Sequence, residues 1–269
     1  MEDIKNYFGV GKIYTQGPSL IQYHVDSKKD LESIIKHFYG YPLLTQQQAD
    51  YLLFKQAFNV ILSGEHRTMD GMSKILGIKA SINLGLSDKL KVSFPNIVPV
   101  KRPSGWDRSV KDFSWVSGFA SADGCFFIGL HKSPGHKMKE RVKLMFKFTQ
   151  YTRDEQLMLD LVNSLGCGSI YKHRDTFDLK VTKILDIENK IIPLFHKYPI
   201  LGVKSQDFAD FCLVFKLIKS EAHLTKEGLE KIRQIKMGTN LKRVPGEASL
   251  SIYNLLYLGG WISWRVIYL

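Results

Sequence analysis

Residues 115–131 read Trp-Val-Ser-Gly-Phe-Ala-Ser-Ala-Asp-Gly-Cys-Phe-Phe-Ile-Gly-Leu-His. The pattern is a short apolar helix running into a strand. The helical half is built from small residues, Ser117, Gly118, Ala120, Ser121 and Ala122, which allow a second helix backbone to approach closely. Gly124 is placed to stop the helix as a C-terminal cap. One carboxylate, Asp123, sits just before that stop, with its charge expected to point out of the fold. Taken alone, the stretch reads first as a buried helix carrying one acid at its exposed end.

Working outward, the chain repeats itself. Asn6-Tyr7-Phe8-Gly9-Val10-Gly11-Lys12-Ile13-Tyr14 returns as Asn163-Ser164-Leu165-Gly166-Cys167-Gly168-Ser169-Ile170-Tyr171, an offset of 157 residues. Tyr41-Pro42-Leu43 answers Tyr198-Pro199-Ile200. His66, Thr68, Gly71, Lys74, Ile75 and Ile78 answer His223, Thr225, Gly228, Lys231, Ile232 and Ile235. Chance does not keep so many positions at one spacing, so the chain is a tandem duplication.

The second copy begins near Phe113 with the small-residue helix and a strand from Gly124 to about Lys132. In the next strand Val142, Leu144, Phe146 and Phe148 alternate with Arg141, Lys143, Lys147 and Thr149, which gives one apolar and one basic face. Apolar residues at helical spacing follow from about Asp154, closed by Gly166 and Gly168. Two further strands and three helices end near Met237. The expected architecture is α+β, in α-β-β-α-β-β-α-α repeats forming a pseudo-twofold saddle sheet. The first copy is expected to be truncated at its N-terminus: the counterpart of Asp123 falls upstream of Met1. The expected boundaries are 1–83 for the first copy, 84–112 for a Pro- and Lys-bearing linker, 113–241 for the second copy and 242–269 for a tail. The tail is largely apolar from Ile252 onward and barely long enough to span a bilayer.

A formal net charge of +12 over 269 residues points to a polyanionic partner, most simply nucleic acid. Three cysteines, Cys125, Cys167 and Cys212, cannot all pair and lack metal-ligand spacing, so a reducing compartment is expected. The chain opens on charged, amphipathic residues with no signal peptide visible. The basic sheet face is the candidate binding surface. Strand alternation gives it Phe127, Gly129 and His131, then Arg141, Lys143, Met145, Lys147 and Thr149, then Tyr171 and His173, then Asp178 and Lys180. Arg and Lys suit guanine, apolar groups suit thymine methyls and Asp suits cytosine, and a two-stranded ribbon fits the major groove. An ordinary solvated face has the same composition.

Val116–Gly124 with the following Cys125-Phe126-Phe127 resembles the LAGLIDADG motif of homing endonucleases, and the duplication resembles the two-repeat, single-chain type encoded in fungal mitochondrial group I introns. The resemblance runs from residue 4 to about 241. It implies hydrolysis of phosphodiester bonds in double-stranded DNA with Mg²⁺, and a mitochondrial location. It implies Asp123 as metal-binding acid, Gln150 as a group that orients water, and Lys204 as a cation beside the scissile phosphate. No small-molecule substrate is expected. The departures are the first motif, which is not found, and Gln47, which stands where a lysine is common. With one acid, a two-acid centre cannot form within a monomer. An RNA-binding maturase acting on intron RNA and an inactive remnant therefore stay open, as does a homodimer through the Trp115–Asp123 helix beside the expected monomer.

Overall fold

The computed structural model describes residues 1–16, 20–135 and 139–239. It divides between Arg108 and Ser109 into two compact units. The architecture is α+β, as expected. The apolar tail lies outside the described residues, and no helix among those described is long and apolar enough to cross a membrane.

The second unit opens with helix α6 (Phe113–Asp123), capped by Asp112, whose carboxylate accepts from the Ser114 N–H at 2.8 Å. Four antiparallel strands follow: β3 (Cys125–Lys132), β4 (Glu140–Tyr151), β5 (Ser169–His173) and β6 (Thr176–Val181), in the order β3-β4-β6-β5. Helix α7 (Glu155–Leu165) stands between β4 and β5, with Leu157, Met158, Leu161 and Leu165 buried at helical spacing. Residues 184–197 form one helical run, α8 (Ile184–Asp186), a π turn (Ile187–Ile191) and α9 (Ile192–Lys197); α10 (Lys204–Lys219) and α11 (Lys226–Met237) complete the unit. One sheet face packs on a phenylalanine core in which Phe126 meets Phe146, Phe195, Phe208 and Phe211 with ring centroids 5.2–5.6 Å apart. Each ring so buried contributes about 1.5–3 kcal/mol.

The small residues of α6 have a local explanation. Ser117 Oγ donates to Pro199 O at 2.5 Å, and Ser121 Oγ accepts from the Leu201 N–H at 2.8 Å. They fasten α6 to the turn that leads into α10. Gly118 is exposed, with nothing within 4 Å of where a Cβ would stand. Gly124 ends the helix for a reason other than the expected left-handed cap. Its backbone is extended, φ −67° and ψ 149°, and a Cβ there would meet Ala120 O at 2.6 Å. The chain leaves the helix so tightly that only glycine fits.

The first unit carries α1 (Glu2–Phe8), the hairpin β1 (Lys12–Gln16) and β2 (Leu20–His24), then α2 (Lys28–Gly40), α3 (Gln47–Leu62), α4 (Met69–Ala80) and α5 (Asp88–Ser93). Residues 84–108, expected as part of a linker, lie within this unit. Val100 packs on Leu53, Ala57, Ile78 and Ile82. Arg102 reaches Asp50 Oδ1 at 2.7 Å and Ser81 O at 2.6 Å.

The duplication is visible element by element. Helices α3 and α10 begin 157 residues apart and each has 16 residues; α4 and α11 each have 12. Thr68 and Thr225 both cap by accepting from a glycine N–H at 3.0 Å. Yet Ile13 pairs with Tyr23 whereas Ile170 pairs with Leu179. The first hairpin is one residue longer, so beyond it Gln22 answers Asp178, His24 answers Lys180, and the N-cap Ser27 answers Lys183. The full offset returns at the helix ends, Gly40 and Lys197. The second copy regains its residue inside the helix, and the π turn Ile187–Ile191 is where it is absorbed, because a π-bulge is one residue inserted into an α-helix.

Candidate active site and nucleic-acid face

Asp123, Gln150 and Lys204 come from the end of α6, the end of β4 and the start of α10, and the fold brings all three together. Gln150 Nε2 donates to Asp123 Oδ2 at 2.8 Å, and Lys204 Nζ donates to Ala122 O at 2.5 Å. The carboxylate oxygen can only accept, which fixes the amide orientation of Gln150. An acid at a helix C-terminus faces the negative end of the helix dipole, and the Lys204 ammonium there offsets it. Burial pushes the Asp123 carboxyl up from its ordinary value, against the Gln150 hydrogen bond and the Lys204 charge. Burial likewise pushes Lys204 down, opposed by Asp123, Cys125 and Asp207. The expectation that Asp123 points out of the fold is therefore corrected: it is half-buried, tied to Gln150. Sequence reasoning did not single out Asp207, one turn into α10 and buried. Its signal was the repeat, since Asp50 stands at the same place in α3.

Among the described residues no three His, Cys, Asp or Glu side chains gather as metal ligands. Such a donor set does not fit a metal caged by protein alone. One half-buried carboxylate fits a hard divalent ion that takes one or two protein carboxylates and completes its shell with phosphate and water oxygens.

The register puts the expected nucleic-acid residues on one face of the sheet. Cys125, Phe127, Gly129 and His131 lie opposite Lys147, Met145, Lys143 and Arg141, while Lys147 and Thr149 lie opposite Lys180 and Asp178. Tyr171 pairs with Asp178, and His173 closes the β5 end of the face. His131, Arg141, Lys143, Tyr171 and His173 are exposed, and Phe127, Lys147, Thr149 and Lys180 are half-buried. Two residues expected in the open are covered. Gly129 lies under the rings of Phe127 and His131, which come within 2.8 Å of where its Cβ would be. Asp178 is only 6% exposed. It accepts from Thr149 Oγ1 at 2.7 Å and pairs with Lys180 at 3.0 Å, so its oxygens are turned to its neighbours.

The first unit has a matching hairpin face that sequence reasoning left out. Tyr14 lies opposite Gln22 and Lys12 opposite His24. His24 Nε2 sits 2.8 Å from Gln22 Oε1, and the Tyr14 and His24 rings are 5.0 Å apart. The repeat pointed to it, but the longer hairpin hid which residues correspond.

Residues 1–58 and 116–215 match the family model described as LAGLIDADG endonuclease. The chain belongs to the LAGLIDADG endonuclease family. It is 40% identical over 228 residues to "Probable intron-encoded endonuclease 3" of Neurospora crassa, covering 83% of this chain and 43% of that one. It is 49% identical over 65 residues, 24% of this chain and 14% of the other, to "Uncharacterized 50.9 kDa protein in ND4 intron 1" of Podospora anserina. The chain spans about half the length, or less, of the curated relatives it matches first. Among solved structures, I-SmaMI, a LAGLIDADG homing endonuclease bound to cleaved DNA, is 40% identical at a TM-score of 0.88, covering 90% of this chain and 82% of its own. I-SmaMI is also known on its uncleaved DNA target in the presence of calcium ions.

Proposed function

We propose that this LAGLIDADG chain is a site-specific DNA endonuclease of intron homing, which binds double-stranded DNA as a monomer and hydrolyses phosphodiester bonds, with Asp123 as the one acid that this sequence supplies to the metal centre. The observation that carries this reading is the meeting of Asp123, Gln150 and Lys204 at the end of α6, beside a sheet face lined with basic side chains. Each feature has a use in that chemistry. Asp123 holds a divalent ion, Mg²⁺ by its preference for few protein carboxylates and several waters. When bound, the ion activates water and stabilises charge on phosphate oxygens. Gln150 fixes the Asp123 carboxylate through its hydrogen bond, and its amide would orient the attacking water. Lys204 supplies a fixed positive charge where the phosphate gains negative charge. The basic face adds phosphate attraction, which weakens steeply with salt. An intron-borne gene of a mitochondrial genome suits the intron-encoded relatives.

The test is selection of duplexes from a random DNA library by the purified chain, followed by incubation of the enriched duplex with Mg²⁺ and mapping of the ends. Cutting at one fixed position within the enriched sequence is expected. Failure to enrich any duplex, or scattered cutting without sequence preference, would overturn the reading.

A further inference from the structure

We propose that Asp178 is a positioning residue for DNA sequence recognition: from within the sheet face it fixes the directions of Lys180 and Thr149 and attracts Lys147, and so decides which of them read bases and which stay off the phosphates. The proposal rests on the DNA-binding reading above. Asp178 lies in the middle of the face, paired with Thr149 on one side and Tyr171 on the other. Its carboxylate takes Thr149 Oγ1 at 2.7 Å and Lys180 Nζ at 3.0 Å, with His173 Nε2 at 3.7 Å and Lys147 Nζ at 3.9 Å. Lys180 also lies 4.9 Å over the Tyr171 ring. A long lysine side chain has many rotamers, and pinning it removes that freedom before DNA arrives, which is the physical content of preorganisation.

Two observations separate this from a plain surface ion pair. Asp178 is buried whereas its partners are half-buried or exposed, so it cannot itself reach a base. Burial alone would raise its carboxyl, yet the Thr149 hydrogen bond, Lys180 and Lys147 hold it below the usual carboxylate range, and it stays ionised at neutral pH. The matching place in the first hairpin holds Gln22 beside His24. That pairing lacks a carboxylate, so the device belongs to the second copy.

The test compares wild type with Asp178→Asn on the selected duplex and on an unrelated duplex of equal length, over a range of salt. The variant keeps shape and loses charge. The released lysines are expected to bind phosphates: affinity for the unrelated duplex rises, the slope of log affinity against log salt steepens by about 1, and the preference for the selected duplex falls about tenfold, the size of one lost base contact. A merely structural role would lower both affinities together. Where Asp178→Asn does not melt cooperatively, Thr149→Val, which removes one anchor of the carboxylate, is read the same way with smaller shifts. An unchanged preference and salt slope in a cooperatively folded variant overturns the proposal alone. A wild type that prefers no duplex overturns the endonuclease reading and the proposal with it.

Discussion

Helix α4 with the turn before it, and helix α11 with the turn before it, share their local details. Thr68 and Thr225 make the same cap at the same distance. A Cβ on Gly71 or on Gly228 would meet a backbone oxygen at 1.9 Å. Nδ1 of His66 and Nδ1 of His223 are both buried without a hydrogen-bond partner, so even this local cost is shared. The starts of α3 and α10 tell the opposite story: Gln47 stands in one and Lys204 in the other, and the hairpins hold Gln22 and His24 against Asp178 and Lys180. Positions set by backbone geometry have stayed alike because any change meets a steric or capping penalty. The positions assigned here to the proposed site and DNA face carry no such backbone constraint, and they differ between the copies.

That contrast can be broken at several points. Lys204→Gln gives the second copy the residue of the first. It is expected to lower DNA cleavage about a hundredfold, the usual loss when one fixed electrostatic donor is removed, with DNA affinity changed far less; single-turnover cleavage beside a binding titration checks it. Gly71→Ala and Gly228→Ala are each expected to destabilise the protein by about 2 kcal/mol through overpacking against backbone. Urea unfolding should give similar losses in the two copies, and a loss confined to one would contradict their equivalence. Thr68→Ala and Thr225→Ala are each expected to cost about 1 kcal/mol through the lost cap, again alike. The smallest effect is a gain. Burial raises the folded Asp123 carboxyl, so its contribution to stability is present at low pH and lost as pH rises through that raised value. Asp123→Asn should therefore melt higher than wild type at neutral pH, with the difference closing below the ordinary carboxylate range. A lower melting temperature at neutral pH would contradict the burial cost assigned to the ionised Asp123 carboxylate.

Much of the fold was legible because it rests on local rules. Alternation in residues 141–149 gave both faces of β4, and the offset between Gly9-Val10-Gly11 and Gly166-Cys167-Gly168 gave the duplication. What was not legible depends on long-range packing. The uniform offset concealed a compensated insertion, since nothing in residues 184–197 announces a π turn. Residues 84–108 read as a linker because Pro95, Pro99 and Pro103 break periodicity, while the contacts that hold Val100 and Arg102 join residues far apart in sequence. At the candidate site, the three side chains could be named from a resemblance, but their meeting could not be derived from spacing. Asp178 shows the limit most clearly: strand alternation put it on the right face, and only its neighbours' charges explain why it is buried there.

The measurement that goes most directly to the proposed site is single-turnover cleavage of the selected duplex with Mg²⁺ by wild type and by Asp123→Asn, with DNA binding measured on the same preparations. The account predicts equal binding and a cleavage rate lower by about a thousandfold or more in the variant, the loss of several kcal/mol of transition-state stabilisation. Cleavage that survives Asp123→Asn at the wild-type rate would contradict it.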